Sequence, residues 1–367
     1  MITTIISQFA IPGTLIRSER FGSGLINETF LCECDDHGAL RKYILQRINS
    51  SVFTHPEQVM QNVAAVTTHI VKRLRAEGMV DPYAMTPVLI NTRSGRSFYS
   101  DDKGEYWRVF HFIDTGTVFN TVLDKKHAYE IGRGVGRFQS LVSDLSPDSL
   151  HDTLPGFHYT PFYLSAYDDA LKADVKTRAA AILVEREFVH HRRSLAPVLT
   201  DLIASKDLPL RIVHNDPKVN NIMVHRETGM ALCMLDLDTV KPGIVPFDFG
   251  DCVRSAANPA GEDEKDLGSI TIDLALFEDI TAGYFREAGA FLTKNEIAIL
   301  PRSVQVITFE LGIRFLADYL RGDSYFKIKY PTHNLHRARV QFRLLESIVA
   351  AEERMTSFIQ QLSPFRG

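Results

Sequence analysis

Cysteine is scarce in this chain: Cys32, Cys34, Cys233 and Cys252 are the only four among 367 residues. None stands in a C-x-x-C pair, which excludes a zinc knuckle of that spacing and a disulfide-stapled scaffold. Such usage suits a reducing compartment, so a cytoplasmic location is expected. A basic surplus is also lacking, since 41 Lys and Arg against 45 Asp and Glu leave a net charge of -4. Nucleic-acid binding rests on a basic footprint, and no such partner is expected. No apolar run approaches the roughly 20 residues that span a bilayer. The opening "MITTIISQFAIPGTL" has no positive residue before its short apolar stretch. Neither a membrane segment nor a secretory leader is therefore expected. None of the 16 prolines has Cys or Ser two residues before it, which excludes a formylglycine-type sulfatase. Repeats and low-complexity tracts are absent as well. What remains is an ordinary globular chain, 45% hydrophobic and 23% charged, of one or two domains.

The order of patterns along the chain points to an α+β fold. "RSERFGSGLINETFLCECDDHGALRKYILQRIN" reads as strand, glycine turn, strand, Asp/Gly turn, strand. From Pro56 to Ala76, Val59, Val63, Val66, Ile70 and Leu74 fall at helical spacing. "TPVLINT" and "YWRVFHFID" are further strand candidates, and the remainder of the chain is mostly helical in pattern. "EIGRGVGRF" carries three glycines, but Ile131, Val135, Phe138 and Val142 keep a helical period around them. A helix packed closely on a neighbour is expected there. The expected architecture has two lobes: a small β-rich unit over 1–114 and a larger helical unit over 115–367, with a ligand cleft between them.

The chemistry concentrates in "RIVHNDPKVNNIMVHRETGMALCMLDLDTV". A short strand leads into a polar loop, and two apolar runs then flank a turn at "RETG", where Gly229 can take positive φ. Antiparallel pairing about that turn sets residue 221 opposite about residue 235. Asn221 and Asp236 thus arrive side by side, an amide and a carboxylate suited to Mg²⁺ that takes further oxygens from phosphates. Asp216 lies on the loop entering the hairpin, placed to face whatever the metal holds. Lys218 can meet a phosphoryl oxygen, and His214 packs at the base of the loop.

H-x-D-x-K-x-x-N, an apolar hairpin and "LDLDTV" resemble the catalytic and metal loops of the protein-kinase-like superfamily. The branch of aminoglycoside phosphotransferases and choline kinases is the most similar. The resemblance implies a bilobal kinase fold, ATP as co-substrate, Mg²⁺ at Asn221 and Asp236, and Asp216 as catalytic base aided by Lys218. It makes "FGSGLINETF" the loop over the phosphates, with Gly22 and Gly24 in its first two glycine positions and Asn27 nearby. It also implies backbone contacts to adenine from the segment holding Phe110 and Phe112. A literal "DFG" at Asp248 to Gly250 comes too late to bind metal; Asp248 matches a buried aspartate that holds the catalytic loop's amides. Gln46 stands where kinases carry a strand lysine, a departure from the pattern.

"YILQRINSSVF", "YWRVFHFID", "FDFGDCVRSAANPAGEDEKDL" and "ELGIRFLADYLRGDSYFKIKYPTHNLHRAR" are similar to segments of bacterial N-acetylhexosamine 1-kinases. That likeness implies phosphorylation of the anomeric hydroxyl of N-acetylglucosamine or N-acetylgalactosamine, with Arg314 and Tyr325 on the sugar. The partners implied are a small sugar and ATP. The rivals are a kinase for another small hydroxyl compound, such as choline, an amino alcohol or an aminoglycoside, and a pseudokinase that binds nucleotide only. On their own, Glu310, Arg314 and Asp318 at i, i+4 and i+8 form a charge stripe that is ordinarily a solvated helix face. Apolar neighbours of Arg314 speak against full exposure.

Overall fold

The computed structural model describes residues 1–22 and 26–365. Gly24 lies outside them. Helix α1 (Ile2–Ile6) leads into β1 (Thr14–Arg20), β2 (Glu28–Asp36) and β3 (Ala39–Ile48), and helix α2 (Pro56–Ala76) comes next. With β4 (Leu89–Ile90), β5 (Tyr99–Ser100) and β6 (Tyr106–His111) these strands form a six-stranded sheet ordered β1-β2-β3-β6-β4, with β5 on β6. The β2–β3 connection is tight because His37 and Gly38 both take positive φ, 53° and 89°, the geometry whose twist suits a two-residue hairpin. Period-two alternation divides the sheet's residues between two faces. Cys32, Cys34, Tyr43, Leu45, Trp107 and Val109 bury on one face with Phe9. Gln46, Arg108 and Phe110 alternate onto the other.

The chain leaves this sheet at His111 and pairs next at β7 (Gly116–Thr117). Helices α3 (Lys125–Val142), α4 (Thr160–Ala173), α5 (Leu183–Arg192) and α6 (Val198–Ala204) precede four short strands. These are β8 (Arg211–Val213), β9 (Ile222–His225), β10 (Ala231–Met234) and β11 (Lys241–Gly243). β7, β9 and β10 make one small sheet, and β8 pairs with β11. Helices α7 (Val245–Ala256), α8 (Leu274–Ala288), α9 (Lys294–Arg321) and α10 (His333–Leu362) complete the chain. The fold is α+β, sheet first and helices after.

Two contacts fix how the parts sit. The apolar stripe of α2, Val59 to Leu74, is at most 3% exposed and joins the core of the helical part. Buried Asn62 on the same helix donates to the carbonyls of His151 and Val240, tying α2 to segments near the candidate site. The glycines of α3 pack on α8. A Cβ on Gly132 would lie 1.8 Å from the Ile280 carbonyl oxygen, and one on Gly283 would lie 1.9 Å from that of Tyr129. The helices approach so closely that only glycine fits. Among the described residues no helix is long and apolar enough to cross a membrane.

Candidate active site

After Val213 the chain turns out of β8, because one buried carboxylate takes two consecutive amides. The N–H groups of His214 and Asn215 donate to Asp248 at 2.9 and 2.7 Å, and Gln139 Nε2 adds a third bond at 2.9 Å. Asn215 sits at φ 66°, a left-handed conformation that asparagine tolerates better than most residues. The D-F-G text is thus part of a helix, and its aspartate supports the loop, as expected. His214 is fully buried; its Nε2 bonds the Leu235 carbonyl and its Nδ1 accepts from the Asp216 amide.

That turn delivers Asp216. Its Oδ2 accepts from Lys218 Nζ at 2.7 Å and from Asn221 Nδ2 at 3.0 Å. Burial works against the Lys218 charge, but the Asp216 carboxylate holds its pKa above the ordinary lysine value. The β9–β10 hairpin comes next. Gly229 closes it at φ 71°, and Ile222 pairs with Met234. The Leu235 amide donates to the Asn221 carbonyl at 2.7 Å, so the expected 221–235 register is present and Asp236 follows directly. Asp236 takes φ 57° and ψ 55°, which turns the chain out of the strand. Among the described residues neither Asn221 Oδ1 nor the Asp236 carboxylate makes a hydrogen bond. Asp236 is exposed, yet desolvation, then Asp238 and Asp216, push its pKa up to about 6. Free oxygens among mutually repelling carboxylates are a donor set that a divalent cation relieves.

The residues expected to meet nucleotide lie on or beside the sheet. Gly22 has φ 78°, and a Cβ there would meet no atom of the described residues within 4 Å. Phe21 packs edge-on against Phe112, ring centroids 5.8 Å apart. Phe110 pairs with Ile44 and Leu89, and the Phe112 amide reaches the Lys42 carbonyl over 3.4 Å. Asn27 is committed elsewhere: Nδ2 donates to Asp238 at 2.6 Å and Oδ1 accepts from the Asn49 amide.

Of the residues expected to meet the acceptor, Arg314 lies on α9 and Tyr325 just after it, and here the solvated-stripe reading fails. Glu310, Arg314 and Asp318 are all inward, with side chains or residues only 1%, 14% and 4% exposed. Glu310 accepts from Thr160 Oγ1 at 2.7 Å and bonds His158 Nδ1 at 3.0 Å, while His158 Nε2 reaches the Asn215 carbonyl at 2.9 Å. Arg314 lies in a box of Phe157, Tyr163 and Phe326, 4.7–5.8 Å from their ring centroids. It makes no hydrogen bond among the described residues. Asp318 accepts the amides of Ser324, Tyr325 and Phe326 at 2.9–3.0 Å, plus Asn334 Nδ2. Tyr325 is 65% exposed at the rim. His333 Nε2 bonds the Asp263 carboxylate at 3.0 Å.

Residues 18–287 match the family model described as APH, phosphotransferase enzyme family. The chain belongs to that family. Three solved structures share the fold of this phosphotransferase. The microcompartment-associated aminopropanol kinase has a TM-score of 0.60 at 16% identity, with 96% of this chain and 97% of that one covered. Spectinomycin phosphotransferase, solved with ADP and spectinomycin, gives 0.55 at 12% identity over 93% and 94%. Choline kinase from Cryptosporidium parvum Iowa II gives 0.55 at 12% over 93% and 91%.

Sequence reasoning missed His158, Arg108 and Asp318, which join these segments. His158 sits in a connection with no pattern. Arg108 reads as an ordinary strand residue, and Asp318 as one charge of a surface stripe.

Proposed function

We propose that this phosphotransferase is an ATP- and Mg²⁺-dependent kinase of N-acetylhexosamines, acting on the anomeric hydroxyl. The observation that carries the kinase reading is the convergence of Asp216, Lys218, Asn221 and Asp236 on one loop and hairpin. Asn221 Oδ1 and Asp236 would hold the metal, which supplies charge neutralisation for the phosphates. Asp216 accepts the proton of the anomeric hydroxyl as its oxygen bonds the γ-phosphorus. The bond from that phosphorus to the bridging oxygen breaks, and ADP leaves. Lys218, released from Asp216 by the incoming charge, steadies the transferring phosphoryl group. Gly22 and Gly24 let the loop approach the phosphates, Asn27 anchors its return, and the segment at Phe110 and Phe112 receives adenine.

For the acceptor, Arg314 is the informative residue. Aromatic boxes attract cationic groups such as quaternary ammonium, but here Phe157, Tyr163 and Phe326 already enclose the chain's own guanidinium. A choline-like cation would meet a like charge, whereas hydroxyl and acetamide oxygens would meet free donors. Tyr325 at the rim offers a ring face to the sugar. This favours a neutral sugar over an amino alcohol and agrees with the segment likeness to N-acetylhexosamine 1-kinases.

The test is ADP release with N-acetylglucosamine, N-acetylgalactosamine, their parent hexoses and choline, using the parent protein and Asp216→Asn. The acetamido sugars should give 1-phosphates, and the variant should lose about 10²- to 10⁴-fold in kcat, the usual share of a positioned base. Turnover with choline alone, or an unimpaired variant, overturns the reading; nucleotide binding without any turnover favours the pseudokinase.

A further inference from the structure

The strand lysine that kinases use is Gln46 in this chain, and the structure joins Gln46 to a different cation. In the β3–β6 register Gln46 stands opposite Arg108. Its Oε1 accepts from Arg108 Nε at 3.0 Å, and its Nε2 donates to Thr29 Oγ1. The Arg108 guanidinium then crosses from the sheet to the turn after the hairpin. Nη2 donates to Asp238 Oδ2 at 2.9 Å and Nη1 donates to Oδ1, a bidentate pair. The two side chains are 2% and 1% exposed. So deeply buried, and with its fork already filled, Arg108 is not a phosphate ligand.

Asp238 has a second duty. Its Oδ2 also accepts from Asn27 Nδ2, and Asn27 stands between the glycine loop and β2. One carboxylate therefore ties together β6, the return of the glycine loop and the short 3₁₀ turn Leu237–Thr239. Asp236, two residues before it, holds a left-handed backbone that non-glycine residues adopt at a cost. Such a conformation persists where its surroundings over-determine it. Here the Leu235 amide pins one side on Asn221, and the Arg108–Asp238 pair pins the other.

We infer that Arg108 and Asp238 are positioning residues, a buried latch that sets Asp236 against the sheet at the strand position where Gln46 replaces the kinase lysine. The inference rests on the reading of Asp236 as a metal ligand. A buried ion pair adds little stability over well-packed apolar side chains of similar volume, while one partner left alone destabilises the fold. That asymmetry separates positioning from stability.

The experiment compares the parent with Arg108→Met combined with Asp238→Leu, and with Arg108→Lys, which keeps the charge without the planar fork. Thermal unfolding, calorimetric binding of Mg·ADP and the Mg²⁺ dependence of kcat are measured. The double variant should unfold somewhat below the parent, because Gln46 and Asn27 each lose a partner, yet stay folded and need about 10- to 100-fold more Mg²⁺, as metal sites do when an outer partner is lost. The acceptor KM should hold. If the double variant does not fold, Arg108→Lys should show the same shift in Mg²⁺ response. Either folded variant binding Mg·ADP with the parent's Mg²⁺ dependence overturns the latch. A parent that binds Mg·ADP but phosphorylates no acetamido sugar overturns the acceptor reading alone, and the binding data still judge the latch.

Discussion

At the scale of single residues, His158 shows how a buried charge can be held in place. Nε2 faces a carbonyl oxygen and Nδ1 faces the Glu310 carboxylate, so both ring nitrogens are set to donate. Burial alone would push its pKa down, but Glu310 and the Asn215 carbonyl raise it above the usual histidine value. Asp251 adds a further negative charge nearby. A raised folded-state pKa means that stabilisation is complete below the unfolded value of about 6.5. It is lost as pH rises through the folded value. His158→Gln should therefore be less stable than the parent at pH 6, and the gap should narrow by pH 9, as read by urea unfolding at both. A gap that widens with pH would mean that the ring is neutral and accepts from a protonated Glu310.

At the scale of elements, α9 organises the proposed acceptor side through one stripe of three residues. Glu310 reaches the segment before α4, and through His158 the loop that carries Asp216. Arg314 fills the aromatic box. Asp318, one turn on, gathers three amides of the 324–326 loop, and bonds to a charged acceptor contribute about 1.5–3 kcal/mol each. Asp318→Ala should free that loop and with it Tyr325. The acceptor KM should rise about tenfold or more, since each 1.4 kcal/mol is a factor of ten, while the KM for ATP stays near the parent value. Steady-state kinetics with each substrate varied in turn will check this; equal rises in both KM values would mean a general loss of fold. The stripe's periodicity is plain in the sequence. Its direction is not, because i, i+4 spacing is the same whether a helix turns its charges to water or to loops that return from distant positions.

At the scale of the whole molecule, the sheet and the helical part meet around Asp236, so ligand binding should register as global stability. Saturating Mg·ADP at 100 times its Kd should add about 2.7 kcal/mol to unfolding. Asp236→Asn should lose most of that gain, which thermal denaturation with and without Mg·ADP will measure. Retention of the full gain would remove Asp236 from the metal site. Local and nearly local features were determined by the sequence itself: the helix of Val59 to Leu74, the hairpin that aligns Asn221 with Asp236, the close-packed glycines of α3, and Asp248 as a support. The first two depend on a period or a turn within some 20 residues, the glycines on the helical period around them, and Asp248 on its match to the family's supporting aspartate. Tertiary structure alone decided what spans farther. Gln46 and Arg108 are 62 positions apart, Arg108 and Asp238 are 130, and His158 and Glu310 are 152. Buried polar groups must find partners wherever the fold brings them, and no periodicity in the chain encodes which distant group that will be.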